Sequence, residues 1–307
     1  MVKRKRGRDI HGILLLDKRL GVSSNRALQE AKRLLNANKG GHTGSLDPLA
    51  TGLLPLCFGE ATKVSAFMLD DDKRYRVKIR LGIVTDTGDA EGQVLATKPV
   101  PPLSLEAINS CLSRFTGEIS QVPPMYSALK HQGKKLYELA RQGQAVERKA
   151  RRITIYSVEL LSHGGAGLEL DVRCSKGTYI RTLAEDIGEY LGCGATVEAL
   201  RRLEAGRFSI DDAVTVEELK AMSNEELASR LLAVDQPLQF MPAVALDDNQ
   251  AVAVKLGQRP TIGGVVQGLV RMYSGPCFLG LGEMLLDGKL APKKLFNLDG
   301  TLSPNEC

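Results

Sequence analysis

The segment that decides the fold reads KRYRVKIRL and runs from Lys73 to Leu81. Apolar and basic side chains alternate along it without interruption, with Tyr75, Val77, Ile79 and Leu81 on one side and Arg74, Arg76, Lys78 and Arg80 on the other. Because successive side chains of a β-strand point to opposite faces, this alternation predicts a strand with one buried apolar face and one basic face.

Strands are also predicted on both sides of this segment. Residues 12–16 form a short apolar run, and residues 151–161 and 168–174 are rich in the apolar and β-branched residues that strands favour. The last of these segments alternates as Lys73–Leu81 does, so one of its faces should also be buried.

Three helices are predicted, two between these strands and one after the last of them. Ser23 or Ser24 offers an N-cap to the first helix, residues 103–115 form the second, and Thr178 caps the third. The apolar positions of the third helix recur at helical spacing and should face inward, at Leu183, Ile187 and Leu191. Because strands and helices do not alternate in a regular βαβ pattern, we expect an α+β domain with a mixed, largely antiparallel sheet and flanking helices.

The C-terminal part of the chain has a different character. Near residues 235–242 the polarity changes, and Pro237 and Pro242 bracket a segment that reads as a linker. Beyond it, short Val- and Leu-containing segments separated by glycines predict a small β-rich domain. We therefore divide the sequence into a basic N-terminal arm (1–10), a main domain (11–238) and a small C-terminal domain (243–307).

Composition excludes several classes of protein. With 307 residues, 43% of them hydrophobic and 25% charged, the chain has the composition of a globular protein with a substantial core. No apolar run approaches the roughly 20 residues that cross a bilayer, and no apolar segment typical of a secretory signal follows the basic start. We expect a cytoplasmic protein without a membrane-spanning segment.

The cysteines, histidines and charges narrow the possibilities further. The six cysteines include no C-x-x-C pair, so we expect free buried thiols, and the four scattered histidines match no metal-ligand spacing. The formal charge of +5 is concentrated in the first 240 residues. Such a surface suits a polyanion, but a basic arm that only aids solubility explains the charge equally well.

The loop GGHTGSLDPLATG, residues 40–52, is the most informative stretch for chemistry. Its four glycines permit close approach to a ligand, and Pro48 restricts Asp47 to extended backbone angles. A carboxylate on such a stiffened loop suits catalysis. The alternative is a turn in which Asp47 bonds its own backbone, and from this segment alone the turn is the safer interpretation.

The loop resembles the catalytic signature of the bacterial tRNA pseudouridine(55) synthases, the TruB-type pseudouridine synthases. Further matches follow in the family's order at residues 59–63 (GEATK), 73–75 (KRY), 85–92 (TDTGDAEG), 121–128 (QVPPMYSA), 174–181 (CSKGTYIR) and 200–202 (LRR). Residues 278–283 and 290–295 resemble the small β-barrel RNA-binding domain (PUA) that follows the catalytic domain in this family. The resemblance thus identifies residues 11–238 as the catalytic domain and 243–307 as a PUA-like β-barrel.

The resemblance also implies roles for individual residues. Asp47 would be the essential carboxylate, Arg181 its ion-pair partner, Tyr75 the ring that stacks on the flipped uracil, and His42 a contact to the RNA. The catalytic set would be Asp47, Tyr75 and Arg181, and the substrate-binding set would be His42, Tyr75, Tyr179 and Leu200.

Physical reasoning supports the pairing of Asp47 with Arg181. Arg181 falls in the first turn of the third predicted helix, where the helix dipole disfavours a cation. A carboxylate partner would explain this placement, and the alternative is an exposed arginine that contacts phosphate. Because a cation within about 4–6 Å lowers a carboxylate pKa by about one to three units, we expect Arg181 to keep Asp47 ionised.

One segment departs from the family pattern. The family has Asp-Lys-Pro-x-Gly near its N-terminus, and here Arg19 replaces the proline between Lys18 and Leu20. We interpret the segment as a structural turn that supports the loop of residues 40–52, so the substitution bears on the geometry of that turn.

The activity that the resemblance implies is isomerisation of uridine 55 in the T-loop of tRNA to pseudouridine. The target base would flip out of its stack, and Asp47 would assist cleavage of the glycosidic bond and re-attachment through C5. No cofactor and no metal ion are expected. The partner would be the T-arm of tRNA, and the protein would act as a monomer without an obligatory protein partner.

Two alternative functions and one question about the basic face stay open at this point. A non-catalytic RNA-binding protein, or a synthase that acts on ribosomal RNA within a particle, would share the scaffold. The basic face of Lys73–Leu81 would either contact RNA phosphates or pack against acidic protein surface, for which Asp70, Asp71 and Asp72 are nearby candidates.

Overall fold

The computed structural model describes residues 7–263 and 266–298. Most of the basic arm and residues 299–307 lie outside the described residues. Thirteen strands precede the C-terminal sheet: β1 Gly12–Lys18, β2 Gly40–His42, β3 Ala50–Phe58, β4 Lys73–Leu81, β5 Ile83–Thr85, β6 Val94–Thr97, β7 Gly117–Gln121, β8 Lys130–His131, β9 Lys134–Lys135, β10 Arg151–Gly164, β11 Gly167–Cys174, β12 Ala195–Ala205 and β13 Phe208–Ser209.

A nine-stranded sheet organises the main domain. Seven strands follow the order β1-β3-β12-β4-β11-β10-β7, with β2 paired to β3 and β13 paired to β12. All pairs are antiparallel except β12 with β3, where Leu200 aligns with Ala50 and Arg202 with Gly52. This mixed, largely antiparallel sheet confirms the predicted fold class.

The strand that the alternating sequence predicts has the predicted bounds and burial. β4 runs from Lys73 to Leu81, and Val77, Ile79 and Leu81 are buried against β11 and β12. Its basic side chains lie on the opposite face. Because β4 occupies the middle of the sheet, its two faces separate the main core from a charged surface.

Eight α-helices flank the two sheets among the described residues: α1 Ser24–Leu34, α2 Ser65–Leu69, α3 Leu105–Arg114, α4 Leu136–Arg141, α5 Ile180–Tyr190, α6 Val216–Ala221, α7 Asn224–Ser229 and α8 Asp248–Lys255. The Ser23 side chain caps α1 by accepting from the Arg26 amide, and Ser104 caps α3 in the same way. The Ser23 cap is one of the two that the sequence predicts, and α3 lies within the predicted residues 103–115, although its cap was not foreseen.

The predicted cap of α5 is wrong. The N-cap residue is Tyr179, which makes no side-chain capping bond, and the Thr178 hydroxyl instead donates to the Ser175 carbonyl at 2.9 Å. The Thr178 hydroxyl therefore stabilises the turn that follows β11 and does not cap the helix. The inward face of α5 is as predicted, because Leu183 and Ile187 are buried in the main core.

The C-terminal part contains a four-stranded sheet in the order β14-β15-β16-β17, formed by Ala243–Ala245, Gly268–Ser274, Cys277–Met284 and Leu290–Leu295. Within residues 242–263 and 266–298 these strands form an open sheet, so the predicted closed barrel is not found. The helix α8 was not foreseen, although Asp247 and Gln250 form a capping box at its start.

The segment of residues 235–242, predicted to be a linker, is instead folded and partly buried. Gln236–Leu238 forms a 3-10 turn, and Pro237 and Leu238 are buried. Leu238 packs in one core with Phe278 and Phe296 of the C-terminal sheet. The two parts of the chain therefore meet through shared apolar packing, since apolar side chains in the connection bury together with both neighbours.

Of the five cysteines in the described residues, four are free and one is disulfide-bonded. Four buried cysteines are free, at Cys57, Cys111, Cys174 and Cys193, as predicted. Cys277 is disulfide-bonded, contrary to the prediction, and Cys307 lies outside the described residues. No described helix is long and apolar enough to cross a bilayer.

Candidate active site

A cleft opens where the loop between β2 and β3 faces the start of α5. Its walls come from that loop, β4, β12 and the turn after β11. Five of the six residues that the resemblance singles out line this cleft: Asp47, Tyr75, Tyr179, Arg181 and Leu200. These residues come from positions up to 153 apart in sequence, so only the sheet topology brings them together.

The loop of residues 43–49 presents Asp47 at the mouth of the cleft. Leu46 is fixed at both backbone groups, because its amide donates to the Ser24 hydroxyl at 2.8 Å and its carbonyl accepts from the same hydroxyl at 3.0 Å. The Asp47 carbonyl accepts from the Ala50 amide at 3.1 Å. Anchored on both sides, the carboxylate is held in a defined position, with 45% of its side-chain surface exposed to the cleft.

Arg181 is the partner of Asp47. Its Nη2 lies 3.0 Å from Asp47 Oδ2, and its side chain is only 6% exposed. The same guanidinium donates to the carbonyls of Thr87 and Tyr126, both at 2.7 Å, and its Nη1 lies 3.6 Å from Asp89 Oδ2. Two carboxylates and two carbonyls thus compensate a cation at the start of α5, where the helix dipole alone would disfavour it.

The electrostatics of Asp47 differ from the expectation in their net direction. Desolvation by the cleft walls raises the pKa of Asp47, and nearby Asp89 adds to this. Arg181 lowers that pKa, as expected, and Lys18 helps, but desolvation is the larger effect. The net effect is that burial raises the pKa of Asp47, and the Arg181 guanidinium limits this rise.

Two tyrosines, Tyr75 and Tyr179, line the cleft. Tyr75 of β4 lies opposite Val172 of β11 and packs against the apolar core, and burial raises the pKa of its hydroxyl. Tyr179 is held by Gln121, which accepts from the Tyr179 amide at 2.9 Å and donates to its carbonyl at 3.1 Å. Burial also raises the Tyr179 pKa, so both phenols stay protonated at neutral pH.

His42 stands apart from the cleft-lining residues. It lies on β2, its Nδ1 is buried without a hydrogen-bond partner among the described residues, and it is not part of the cleft wall. Burial and the charge of Arg202 lower its pKa, so the imidazole is neutral near pH 7. A role for His42 in contacting RNA stays a prediction.

Lys18 bonds to the loop that carries Asp47, which agrees with the interpretation of its segment as a structural turn that supports this loop. The side chain is 1% exposed and donates to the Val22 carbonyl at 2.7 Å and to the Pro48 carbonyl at 3.4 Å. Burial lowers its pKa to about 8. The neighbouring Arg19, which replaces the family's proline, forms a two-pronged ion pair with Glu30 at 2.8 and 3.1 Å.

Sequence reasoning missed three residues that shape the site. Asp89 is the second carboxylate of Arg181, Gln121 fixes Tyr179, and Arg202 lies buried in the floor of the cleft. All three fall in segments that match the family. Their residue types did not point to a site, because a glutamine, an aspartate or an arginine is as typical of exposed surface as of an active site.

The basic face of β4 points away from the cleft. Arg74 binds Asp171 of β11 at 2.7 Å and Glu204 of β12 at 2.9 Å, so its charge is compensated by neighbouring strands. On the same face, Arg201 binds Asp17 at 2.7 and 3.0 Å. The acidic partners expected at residues 70–72 are not the ones used by Arg74. This arrangement favours protein packing over RNA contact for Arg74.

Comparison with known proteins relates this site to an established family. Residues 32–180 match the model of the TruB family pseudouridylate synthase N-terminal domain, and residues 181–239 and 242–296 match two C-terminal models of the same family. The fold also resembles a chain of the crystal structure of a Cbf5-Nop10-Gar1 complex, with a TM-score of 0.68 and 25% identity over 94% of this chain and 85% of that one.

Relatives of similar length give the same result. The tRNA pseudouridine synthase B of Chromohalobacter salexigens is 54% identical over 97% of this chain and 98% of its own. The synthase of the same name from Nitrosococcus oceani is 52% identical over 95% of this chain and 97% of its own. Together with the domain matches and the assembled cleft, this similarity shows that the chain belongs to the TruB family of pseudouridylate synthases.

Proposed function

We propose that this protein converts uridine 55 in the T-loop of tRNA to pseudouridine, with Asp47 as the essential catalytic residue. The observation that supports the proposal most directly is the Asp47–Arg181 ion pair, with its 3.0 Å separation, at the mouth of a cleft lined by Tyr75, Tyr179 and Leu200. The relatives named tRNA pseudouridine synthase B support tRNA as the substrate.

The reaction breaks one bond and forms another on the same nucleoside. The C1′–N1 bond of uridine breaks, the uracil turns, and C1′ bonds to C5 while the C5 proton is lost and N1 gains a proton. Substrate and product are isomers, so the balance needs no oxidant, reductant or co-substrate. We therefore propose that the protein uses no cofactor and no metal ion.

The cleft suits each requirement of this sequence of steps. The flipped base loses a few kcal/mol of stacking when it leaves the RNA, and a ring such as that of Tyr75 offsets this cost. Tyr179 and Leu200 also line the pocket. Arg181 orients the Asp47 carboxylate towards the sugar and favours its ionised form, the form that acts as a nucleophile or base.

The rest of the chain would serve recognition of the tRNA. We propose that residues 11–238 form the catalytic domain, that residues 243–307 form the small RNA-binding domain and that the basic arm of residues 1–10 adds to RNA affinity. The protein would act as a cytoplasmic monomer on the T-arm of tRNA. The shared core at Leu238, Phe278 and Phe296 would keep the two domains in register on one RNA.

The proposal is tested with two unmodified tRNA transcripts that differ only by uridine or cytidine at position 55. We expect the uridine transcript to acquire one pseudouridine, at position 55, when it is mapped by chemical sequencing. The cytidine transcript should acquire none. Modification at other uridines with position 55 intact, or modification only of ribosomal RNA fragments, would contradict the assignment, and tight binding without modification would indicate an RNA-binding protein.

A second prediction concerns the charged face of β4. We expect Arg74→Ala to destabilise the protein by about 1–2 kcal/mol, because Asp171 is left without its partner and Arg74 itself is partly exposed. The slope of tRNA affinity against salt should stay unchanged. Urea unfolding and filter binding at several salt concentrations measure the two effects.

Arg76→Ala is the matched control for this experiment. Arg76 is exposed on the same face and has no ion pair among the residues that the structure describes. Its replacement should change neither stability nor the salt slope. If either variant reduces the slope by about one unit, the face contacts phosphate and the packing interpretation is wrong.

A further inference from the structure

Arg202 is the largest of the fully buried side chains in the described structure. It lies on β12, opposite Tyr75 of β4 and beside Gly52 of β3, and only 1% of its surface is exposed. Its guanidinium reaches the floor of the cleft. A buried arginine in the middle of a sheet requires an explanation, because removal of its charge from water is costly.

The guanidinium joins two segments that meet at the cleft. Its Nε donates to the Leu53 carbonyl of β3 at 2.7 Å, and its Nη2 donates to the Gly44 carbonyl at 3.0 Å. Gly44 lies three residues before Asp47, at the start of the loop that presents the carboxylate. Arg202 therefore fastens that loop to the first strand that follows it.

The backbone around Arg202 is built for this close approach. Gly44 has a φ of +68°, and a Cβ at that position would lie 3.3 Å from Arg202 Nη1. Gly52 has a φ of +99°, and a Cβ there would lie 2.3 Å from the Arg202 carbonyl oxygen. Both glycines adopt positive φ angles that other residues rarely do, and at Gly52 a side chain would also collide with the Arg202 backbone.

Arg202 has no carboxylate within ion-pair distance among residues 7–263 and 266–298. Its neighbour Arg201, by contrast, is paired with Asp17. A cation that is buried without a counter-charge costs stability through its desolvation, so its retention needs a reason other than charge pairing. What distinguishes arginine here is its planar fork, in which two different nitrogens, Nε and Nη2, hold two carbonyls in one fixed geometry, whereas a lysine ammonium is a single point of attachment.

We propose that Arg202 is a positioning residue that holds the start of the Asp47 loop and thereby sets the position of the catalytic carboxylate. This inference rests on the proposed function for its kinetic consequence. Three buried side chains bond to the backbone of the loop: Arg202 at Gly44, Ser24 at Leu46 and Lys18 at Pro48. Two backbone bonds add to them, from the Gly21 amide to the Pro48 carbonyl at 2.9 Å and from the Thr43 amide to the Pro55 carbonyl at 3.1 Å. Of the three side chains, Arg202 is the one that ties the loop to the floor of the cleft.

The first test measures the loop directly and does not depend on activity. Hydrogen exchange is followed in wild type, Arg202→Met and Arg201→Met, which is the matched control on the same strand. We expect the amides of residues 43–50 to exchange at least tenfold faster in Arg202→Met and at the wild-type rate in Arg201→Met. Unchanged exchange in Arg202→Met would overturn the proposal.

The second test separates positioning from general damage. At saturating tRNA we expect kcat of Arg202→Met to fall about 10²-fold, because a displacement of about 1 Å of a catalytic group costs this much, while Kd for tRNA stays within threefold. Arg202→Lys, which keeps the charge but reaches one carbonyl at a time, should recover part of both the exchange protection and kcat. If Arg202→Met does not fold, the lysine variant alone decides, and wild-type values for it would overturn the proposal.

The two tests also distinguish this proposal from the proposed function. If wild type fails to modify tRNA, the proposed function is wrong, whereas the exchange of residues 43–50 still reports on the anchor. If wild type is active and the loop is released in Arg202→Met without loss of kcat, the proposed function stands and the positioning role is wrong.

Discussion

Replacement of Asp47 by asparagine is expected to reduce turnover by at least about 10³-fold and to leave tRNA affinity within threefold of wild type. The amide keeps the size of the side chain and one acceptor for Arg181, but it cannot act as a nucleophile or a base. The rate is measured under single-turnover conditions, as release of the C5 proton from tritium-labelled tRNA, and affinity by filter binding.

Asp17→Asn is a suitable control for this variant. Asp17 also pairs with an arginine, Arg201, but on the charged face of the sheet away from the cleft. Its amide variant should retain the wild-type rate. Multiple turnover by a verified Asp47→Asn preparation, or a tRNA affinity lost to the same extent as the rate, would show that Asp47 is not the catalytic carboxylate.

Removal of Arg181 is expected to have the second largest effect. Arg181→Met leaves Asp47 and the buried Asp89 without their cation, which typically costs about 3–5 kcal/mol of stability for a buried pair, and less here because Asp47 is half exposed. We expect kcat to fall at least about 10²-fold at pH 7. Thermal unfolding and single-turnover kinetics measure the two losses.

Loss of Arg181 should also change the pH dependence of the rate, in a direction that follows from the pKa of Asp47. In wild type, desolvation raises the pKa of Asp47 and Arg181 lowers it, with Asp89 and Lys18 acting in opposite directions. Without Arg181 the pKa must rise further. If ionised Asp47 is the active form, activity is lost as the pH falls through that pKa, so the acidic limb of the rate profile should move to higher pH in Arg181→Met.

Arg74→Met is the matched control, because Arg74 also binds two carboxylates, Asp171 and Glu204, on the far face of the sheet. It should lose stability without any movement of the acidic limb. If Arg181→Met does not fold, Arg181→Lys replaces it in the experiment, because it keeps the charge but loses the planar fork. This variant should show a lower kcat than wild type and a smaller shift of the acidic limb than that expected for Arg181→Met. An acidic limb that is unchanged in both Arg181 variants would contradict the proposed link to Asp47.

The sequence alone determined the elements whose patterns are local. Strict alternation gave β4 its bounds, because the side-chain period of a strand is two and one face of this strand is buried. Ser23, one of the two serines offered as a cap, marks the start of α1, since a serine side chain before a helix satisfies a free backbone amide. The predicted helix of residues 103–115 contains α3, whose Ser104 cap was not foreseen. Family motifs pointed to Asp47 and Arg181, which the structure places 3.0 Å apart.

Predictions failed where a residue had a competing partner that its neighbours in sequence do not reveal. Thr178 bonds to the Ser175 carbonyl and so does not cap α5. The segment around Pro237 and Leu238 reads as a linker by composition, yet it is buried because a second sheet packs over it. The family resemblance implies a barrel after residue 242, but closure depends on pairing between distant edges, and the described strands form an open sheet.

Only the tertiary structure decided which charges face the cleft and which face away from it. Four arginines that the sequence does not distinguish have four different surroundings. Arg74 is paired on the far face of the sheet, and Arg181 is paired with Asp47. Arg201 is paired with Asp17, and Arg202 is buried without a carboxylate among the described residues. The reason is physical. The free energy of a charge depends on its burial and on the partners within a few ångströms, and these are set by strands that are distant in sequence and adjacent in the sheet.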